Sequence, residues 1–542
     1  MQGRSEGQRD VFDVESVAGH LLPAGGVFAF LAEHRGRLFP AEAFEDLFPS
    51  GLGRPSIPPD VVATVIVLQT LRNLSDREAA EAVTFDLRWK AACGMPVDAG
   101  SFHPTVLTYW RKRLAASERP DRIFEVVRQL IAETGALAGR HRRAMDSTVL
   151  DDAVARQDTV TQLIAAIRRV ARVVDGAGGL DGLVAVHCTR LRALTGQDYT
   201  HPGKPPIAWD DHAAREELVT ALVNDALALL EVIDTDAVQA AGGKPAEAVV
   251  LLALVAGQDV EPAEGSDGTD GRWRIARKTA KGRVISIVDP DARHAHKTRA
   301  SQRDGYTAHI VAEPDTGLYT GVELTKACGP ENSDATVGVR LLTEDPTIDQ
   351  HGDQDEGQQK EALADSAYGT GQALADLSDA GWFPIIKPWP LKPAVEGGFT
   401  VDDFTYDPDA ADGRGTLTCP AGHTRALSPK RAVTFGAVCR GCPFLERCTT
   451  SKTGKKTTVH EHDQLHREHR QRAADPDFQT LYRTHRPMVE RSIAWLTRGA
   501  RRVPYRGVEK NNAWLHHRAA ALNLRRLLAL GLNHDNGAWS VA

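Results

Sequence analysis

The stretch EALADSAYGTGQALADL at 361–377 constrains the fold more than any other part of the chain. A short apolar run that passes directly into a helix-like run reads as a βα unit, which needs a sheet with at least one parallel pair and carries its polar chemistry at the strand's C-terminal end. Asp365 sits at that end. An Asp in this place can simply cap the following helix, but two other segments deliver carboxylates in similar settings. In RRAMDSTV at 142–149, Asp146 follows a hydrophobic stretch and precedes small hydroxyl residues. In RPMVERSIAWLTR at 486–498, the apolar positions Met488, Val489, Ile493, Trp495 and Leu496 suit an amphipathic helix with Arg486 and Glu490 on one face. Arg ahead of Glu is the less favourable order for such a pair and stabilises by only a few tenths of a kcal/mol, so helix stability explains it poorly.

At 542 residues the chain is long enough for three or four compact units. Residues 1–135 read as all-helical: IPPDVVATVIVLQTL at 57–71 carries an apolar stripe, and NLSDREAAEAV at 73–83 opens on Ser75 as an N-cap. Two helices joined by a tight turn resemble a helix-turn-helix. A third, at 101–113, ends in Arg111, Lys112 and Arg113 beside Tyr109 and Trp110, a pattern suited to a phosphate backbone. Residues 153–275 read as a helical insertion and linker, with helices near 160–170 and 216–230 and a Gly/Asp linker at 267–271. Strand-like runs then occupy 284–288, 306–312 and 318–324, the last two joined by the turn sequence EPDTG at 313–317. A capped helix at 332–342, the strand ending at Asp365, its helix and a strand at 382–386 complete a mixed α/β core over 136–152 and 276–391. A Cys-rich insertion at 392–465, C-terminal helices carrying Glu490 at 466–532 and a tail at 533–542 follow.

The net charge of −7 hides an asymmetry: residues 467–526 hold fourteen Lys and Arg against five Asp and Glu, whereas 344–365 is strongly acidic. The apolar run VVATVIVL at 61–68 is too short to span a membrane and the N-terminus lacks a signal peptide's apolar region, so a cytoplasmic protein with no membrane partner is expected. Of seven cysteines, Cys93, Cys188 and Cys328 are scattered and read as core residues, while Cys419, Cys439, Cys442 and Cys448 crowd together with His423. Five candidate ligands for four tetrahedral positions suggest a structural zinc held by the four thiolates, with an iron–sulfur cluster or spare reduced thiols as the alternatives.

The order of these pieces, with an Asp on the first strand, an Asp on the fourth and a Glu on a late helix, resembles the ribonuclease H-like core of DDE transposases. More closely it is similar to the insertion-sequence transposases of the family numbered eleven eighty-two, allied to the group four elements. The matching pieces are GRP at 53–55 with LSDREAA at 74–80, AMDS at 144–147, DGY at 304–306, GPENSD at 329–334, ADSAYG at 364–369, the Cys block, VER at 489–491 and YRG at 505–507. The resemblance implies a DNA transposase that binds transposon ends, cleaves with two Mg²⁺ (or Mn²⁺) ions and joins the 3′ ends to target DNA. Its partner is double-stranded DNA with terminal inverted repeats, on which it assembles as a homodimer, associated with the bacterial nucleoid.

Attack on a phosphodiester uses two hard cations about 4 Å apart, and such cations take carboxylate oxygens. By resemblance Asp146 bridges both ions, Asp365 holds one and Glu490 the other, while Arg486 contacts phosphate. Arg498, Arg501, Arg502 and Arg506 of the basic segment are further expected DNA contacts. The allied Tyr-two-Arg-three-Glu-six-Lys signature fits at Arg486 and Glu490; Tyr482 is displaced by one position, Thr497 stands for the Lys, and Arg498 follows it. A metal-dependent nuclease without strand transfer uses the same carboxylates, whereas a domesticated DNA-binding protein needs only the basic surfaces, and the intact triad argues against the latter.

Overall fold

Helices come first along the chain, and for local reasons. The computed structural model describes residues 1–5, 12–174, 181–296, 302–348, 359–410 and 413–542. Within the first part lie α1 (Val27–Leu38), α2 (Pro59–Arg72), α3 (Asp76–Phe85), α4 (Thr105–Ala115) and α5 (Arg122–Glu133). A proline in its first turn starts α2, and it ends on Asn73 at φ +55°. Ser75 then caps α3 in a capping box: its hydroxyl accepts from the Glu78 N–H, and the Glu78 carboxylate accepts from the Ser75 N–H at 2.7 Å. Of the two helices, α2 is buried nearly all round, as a core helix is, and α3 turns Arg77, Glu78 and Glu81 outward.

Next come β1 (Arg142–Asp151) and a helical unit of α6 (Thr159–Val173), α7 (His212–Val232) and α8 (Gly243–Gln258), which packs around its own core of Leu163, Ile167, Leu222 and Leu252. The expected linker at 267–271 is instead the loop of a two-stranded ribbon, Val260–Pro262 with Trp273–Ile275, held to α7 by Thr220 and Asn224. The expected strand at 284–288 is not a strand either. Val284 makes an isolated bridge to Arg293, and side chains satisfy other backbone groups of the run: Gln162 and Gln258 donate to the Val284 carbonyl at 2.8 and 3.2 Å, and the Gln157 amide oxygen accepts from the Ile287 N–H at 2.9 Å.

The main sheet contains β1, β2 (Arg293–His296), β3 (Gln302–Ala312), β4 (Tyr319–Lys326), β5 (Lys360–Ala364) and β6 (Trp382–Ile386). Its order is β4-β3-β1-β5-β6, with β2 alongside the start of β3; β3 is antiparallel to β1, β2 and β4, whereas β1, β5 and β6 run parallel. The turn at 313–317 closes the β3–β4 hairpin as its sequence requires, with the Glu313 carboxylate accepting from the Asp315 and Thr316 N–H groups and Gly317 at φ +72°. Two helices follow strands of this sheet: α9 (Asp334–Thr343), capped by Ser333, and α10 (Gly371–Asp379), capped by Thr370. Residues 349–358 of the acidic stretch at 344–365 lie outside the described residues.

The Cys-rich segment forms a small unit around Phe404, Leu417, Val433 and Phe435. The chain then runs through α11 (Asp463–Ala473), α12 (Pro476–Thr497) and α13 (Val508–Ala529). One hydrophobic core joins α2, the hairpin face of the sheet and α13, so the N-terminal helices do not stand apart as a separate packing unit. The expected tail is also part of it: residues 533–540 form a hairpin whose Trp539 ring lies 5.6 Å from Phe30 and 5.1 Å from His34. Among the described residues no helix is long and apolar enough to cross a membrane.

Gly338 of α9 lies close against Tyr368, in the turn after β5, and Met145 of β1. A Cβ there would stand 2.4 Å from Cε1 of Tyr368, a fully buried ring, and 3.3 Å from the Met145 sulfur. Gly338→Ala is expected to destabilise by about 1–3 kcal/mol through overpacking, despite the better helix propensity of Ala. Chemical denaturation checks this, and a midpoint equal to or above that of the parent would show that Tyr368 has room to move.

Candidate active site

The two aspartates meet through strand register. β1 and β5 pair in parallel at a constant offset, Arg142 with Glu361, Arg143 with Ala362 and Ala144 with Leu363. Two residues further in the same register stand Asp146 and Asp365, at the C-terminal end of β5. Alternation decides which face they occupy: Ala144 and Leu363 pack against Val489 of α12, so Asp146 and Asp365, two positions on, face the same helix. Met145, between Ala144 and Asp146, faces the opposite core with Val339 and Tyr368.

The helix α12 is pinned over this point. Arg142 donates to Glu361 at 2.6 Å and to Nε2 of His485 at 2.7 Å, while Nδ1 of His485 lies 2.9 Å from the Asp315 carboxylate in the β3–β4 turn. Tyr482, Arg486 and Glu490 then follow at intervals of four and share one face. Arg486 donates to Asp146 at 2.9 Å and its Nε lies 3.7 Å from Glu490. Its Nη1 is buried and has no hydrogen-bond partner among the described residues. Burial works against the guanidinium charge, yet Asp146, Tyr482, Asp365 and Glu490 together hold its pKa above the ordinary value. Burial raises the pKa of Tyr482, which faces the same charges. The displaced Tyr of the sequence pattern therefore reaches the cluster, because four residues make one helical turn.

The three carboxylates differ in setting. Asp146 is buried, with Oδ1 accepting from the Ser147 N–H at 2.8 Å. Asp365 caps a short turn, accepting from the Ala367 N–H at 2.9 Å. The side chain of Glu490 is 67% exposed. Beneath them the Tyr368 hydroxyl is pushed well above its usual pKa, first by burial and then by Asp334, Asp146 and Asp365. Asp334, which reads in the sequence only as the start of a capped helix, is thus a fourth carboxylate at this end of the sheet, with Oδ1 3.7 Å from Nδ1 of buried His309. As the side chains stand, no group of three His, Cys, Asp or Glu among the described residues is placed to hold a metal ion. At the carboxylate cluster it is the Arg486 cation that lies among the acidic groups.

Cys419, Cys439, Cys442 and Cys448 are free thiols, with His423 beside them, and all line one cavity of about 20 Å³ walled by Phe399, Phe435 and Phe444. Burial pushes the Cys448 thiol up; Lys455 opposes this and the other three cysteines add to it. Cys93 and Cys188 are buried, and their thiols are pushed up to about 12 by burial, as expected of core residues, whereas Cys328 is half-buried.

The arginines expected on DNA divide into two groups. Arg111 is turned inward: it pairs with Asp76, and its guanidinium lies 5.3 Å from the Tyr505 ring centre. Arg501 donates to the Val149 carbonyl at 3.2 Å and Arg502 to that of Asp152 at 3.0 Å, which fastens the 501–503 segment to the end of β1. Lys112, Arg113, Arg498, Arg502 and Arg506 are exposed, Arg502 being so despite its bond to the Asp152 carbonyl, and Arg113 lies 4.6 Å from the Phe48 ring centre. A strongly basic count in sequence cannot separate these groups, because an inward partner such as Asp76 lies 35 residues away from Arg111.

Two segments match family models. Residues 418–528 match the model described as transposase DDE domain, and residues 28–113 match a transposase domain of otherwise undefined function. Together they indicate a transposase. The first match contains Arg486, Glu490 and the four clustered cysteines, whereas Asp146 and Asp365 lie outside both. No curated protein and no solved structure matches the chain.

Proposed function

We propose that the protein is a DNA transposase with a ribonuclease H-like core, which binds the ends of its element, cleaves DNA with two divalent metal ions and joins the 3′ ends to a target. The observation that carries this reading is the β1–β5 register, which aligns Asp146 with Asp365 across a separation of 219 residues and under the helix that bears Glu490. The strand order, antiparallel hairpin side and parallel side included, supports the core assignment.

The donor set fits hard cations: Asp146, Asp365 and Glu490 offer carboxylate oxygens only. Divalent ions held there supply activation of the attacking oxygen and charge neutralisation at the leaving one. The chain's own residues do the rest. Arg486, with one buried nitrogen that has no hydrogen-bond partner among the described residues, exchanges its bond to Asp146 for a phosphate oxygen as DNA enters, which frees that carboxylate and positions the strand. The exposed Arg498 and Arg506 neutralise backbone phosphates, with Lys112 and Arg113 as a second contact region. The DNA is double-stranded, carries terminal inverted repeats, and is held by a homodimer.

The deciding experiment uses a labelled duplex copied from the inverted repeat that flanks the gene, with a supercoiled plasmid as target and Mg²⁺. Joined products are expected. Cleavage without any joined product would make the protein a nuclease, and binding without cleavage would leave only the DNA-binding alternative.

The same proposal assigns one structural zinc to Cys419, Cys439, Cys442 and Cys448, whose soft thiolate donors suit it. Anaerobically purified protein is expected to hold about one zinc per chain and to lose stability on chelation. A content below about half an equivalent, with no iron present, would show the thiols to be spare.

A further inference from the structure

On the face of the sheet that α9 covers, behind the two aspartates, a buried histidine makes only half of its hydrogen bonds. His309 of β3 stands opposite Ser147 in the β1–β3 pairing, one residue along from Asp146, and directly opposed side chains start about 5 Å apart. His309 is completely buried. Its Nε2 lies 3.0 Å from the Thr325 hydroxyl, and its Nδ1 has no hydrogen-bond partner among the described residues. Facing Nδ1 is Asp334, the first residue of α9, with Oδ1 3.7 Å away. Burial first, with Arg340 nearby, lowers the His309 pKa to about 3, so the ring is neutral and carries one proton. On Nδ1 that proton points at the carboxylate while Nε2 accepts from Thr325; on Nε2 it would leave a lone pair against the carboxylate. The first arrangement is the favourable one.

A second buried donor flanks the same carboxylate. The Tyr368 hydroxyl, in the turn that follows Asp365, is fully buried, and Ser147 lies beside it without completing a hydrogen bond. The charges of Asp334, Asp146 and Asp365 all reach it. Asp334 is thus level with the catalytic pair and approaches the C-terminal edge of the sheet from the side opposite α12. Its side chain is 35% exposed, so the carboxylate meets buried donors on one side and solvent on the other. A movement of about 1 Å brings Oδ1 within hydrogen-bond reach of the His309 Nδ1.

We infer that Asp334 is a further catalytic residue, specific to the cleavage step: His309 and Tyr368 fix its inner oxygen, and its outer oxygen holds the attacking water. The inference rests on the transposase reading. In hydrolysis the water oxygen bonds to phosphorus as the bond from phosphorus to the 3′ oxygen of the element end breaks. One water proton passes to Asp334, and the departing 3′ oxygen takes a proton from solvent. Water has no attachment of its own and needs a group to align it, and a positioned base contributes about 10²–10⁴-fold. In joining, the nucleophile is a 3′ hydroxyl that its own DNA strand already places, so Asp334 has little left to align. Asp146, Asp365 and Glu490, as holders of the cations, serve both steps.

Two labelled substrates in Mg²⁺ separate the steps: an intact element-end duplex, which must be hydrolysed, and a duplex already cut to expose the 3′ hydroxyl, which needs only to be joined to a plasmid. Asp334→Asn is expected to slow hydrolysis by about a hundredfold and joining of the precut end by less than about threefold, with duplex binding and melting temperature as controls. Tyr368→Phe, which removes one hydroxyl, should slow hydrolysis by about tenfold with the same small effect on joining, and it decides the matter should Asp334→Asn unfold. Independently of catalysis, ¹⁵N spectra of labelled histidine should show the signal missing from His309→Gln as the Nδ1–H tautomer; the Nε2–H tautomer there overturns the inference. Equal losses in both steps overturn it as well, because Asp334 would then serve the shared centre or the fold, and so does undiminished hydrolysis. In those cases joining by the parent protein keeps the transposase reading. A parent protein that joins nothing removes that reading, and the inference with it.

Discussion

Asp365→Asn is expected to lose strand cleavage in Mg²⁺ while binding the element end as the parent does. The substitution keeps the shape and leaves an amide oxygen to accept from the Ala367 N–H, as the Asp365 carboxylate does at 2.9 Å. It removes the charge that a hard cation needs. If metal-assisted charge stabilisation supplies several kcal/mol to the chemical step, as is usual, the rate should fall by about a thousandfold or more. A gel assay on the labelled end duplex, titrated first without and then with Mg²⁺, reads both effects. Undiminished cleavage by the variant would remove the catalytic assignment of Asp365. Loss of binding in parallel with cleavage would make the residue structural instead.

Asp345→Ala should bring the largest loss of stability. Arg143, three residues before Asp146 on β1, is completely buried and donates to Asp345 at 2.8 Å, to the Thr347 hydroxyl at 2.8 Å and to the carbonyls of Arg140 and Arg142 at 2.8 and 2.9 Å. Asp345 is equally buried and also accepts from the Thr347 N–H at 2.9 Å. Removing the carboxylate leaves an uncompensated guanidinium in the interior, at a cost of about 3–5 kcal/mol. The double variant Arg143→Met with Asp345→Leu removes both charges and should recover most of that loss. Chemical denaturation followed by the fluorescence of the core tryptophans measures both. A double variant no better than Asp345→Ala would show that packing around the pair, rather than the stranded charge, sets the cost.

Elements whose signals span a few residues were legible in the chain. Ser75 with Glu78, Ser333 before α9 and the Glu313 turn each complete their hydrogen bonds within a few positions, so local chemistry alone determines them, whereas α10 is capped by Thr370 and not by Asp365. The run at 284–288 shows the limit of that reasoning. Its β-branched residues suit a strand, but a strand needs a neighbour with free ladder groups, and three glutamines occupied its backbone first. The hairpin at the C-terminus is the converse case, short and polar in sequence and held in place by Trp539 against α1.

At the site, local pattern was enough to place Asp365 at the end of a strand, Arg486 and Glu490 on one helical face, and four cysteines close together. Tertiary packing set the register that pairs Ala144 with Leu363, two residues before Asp146 and Asp365, since pairing across 219 residues depends on which side chains the two faces bury and not on any local pattern. It also decided which cations face outward. Arg111 finds Asp76 and Tyr505 from distant segments and turns in, whereas Arg498 and Arg506, on a connection between helices, stay in solvent. Charge can be counted along a chain, but its direction follows from packing.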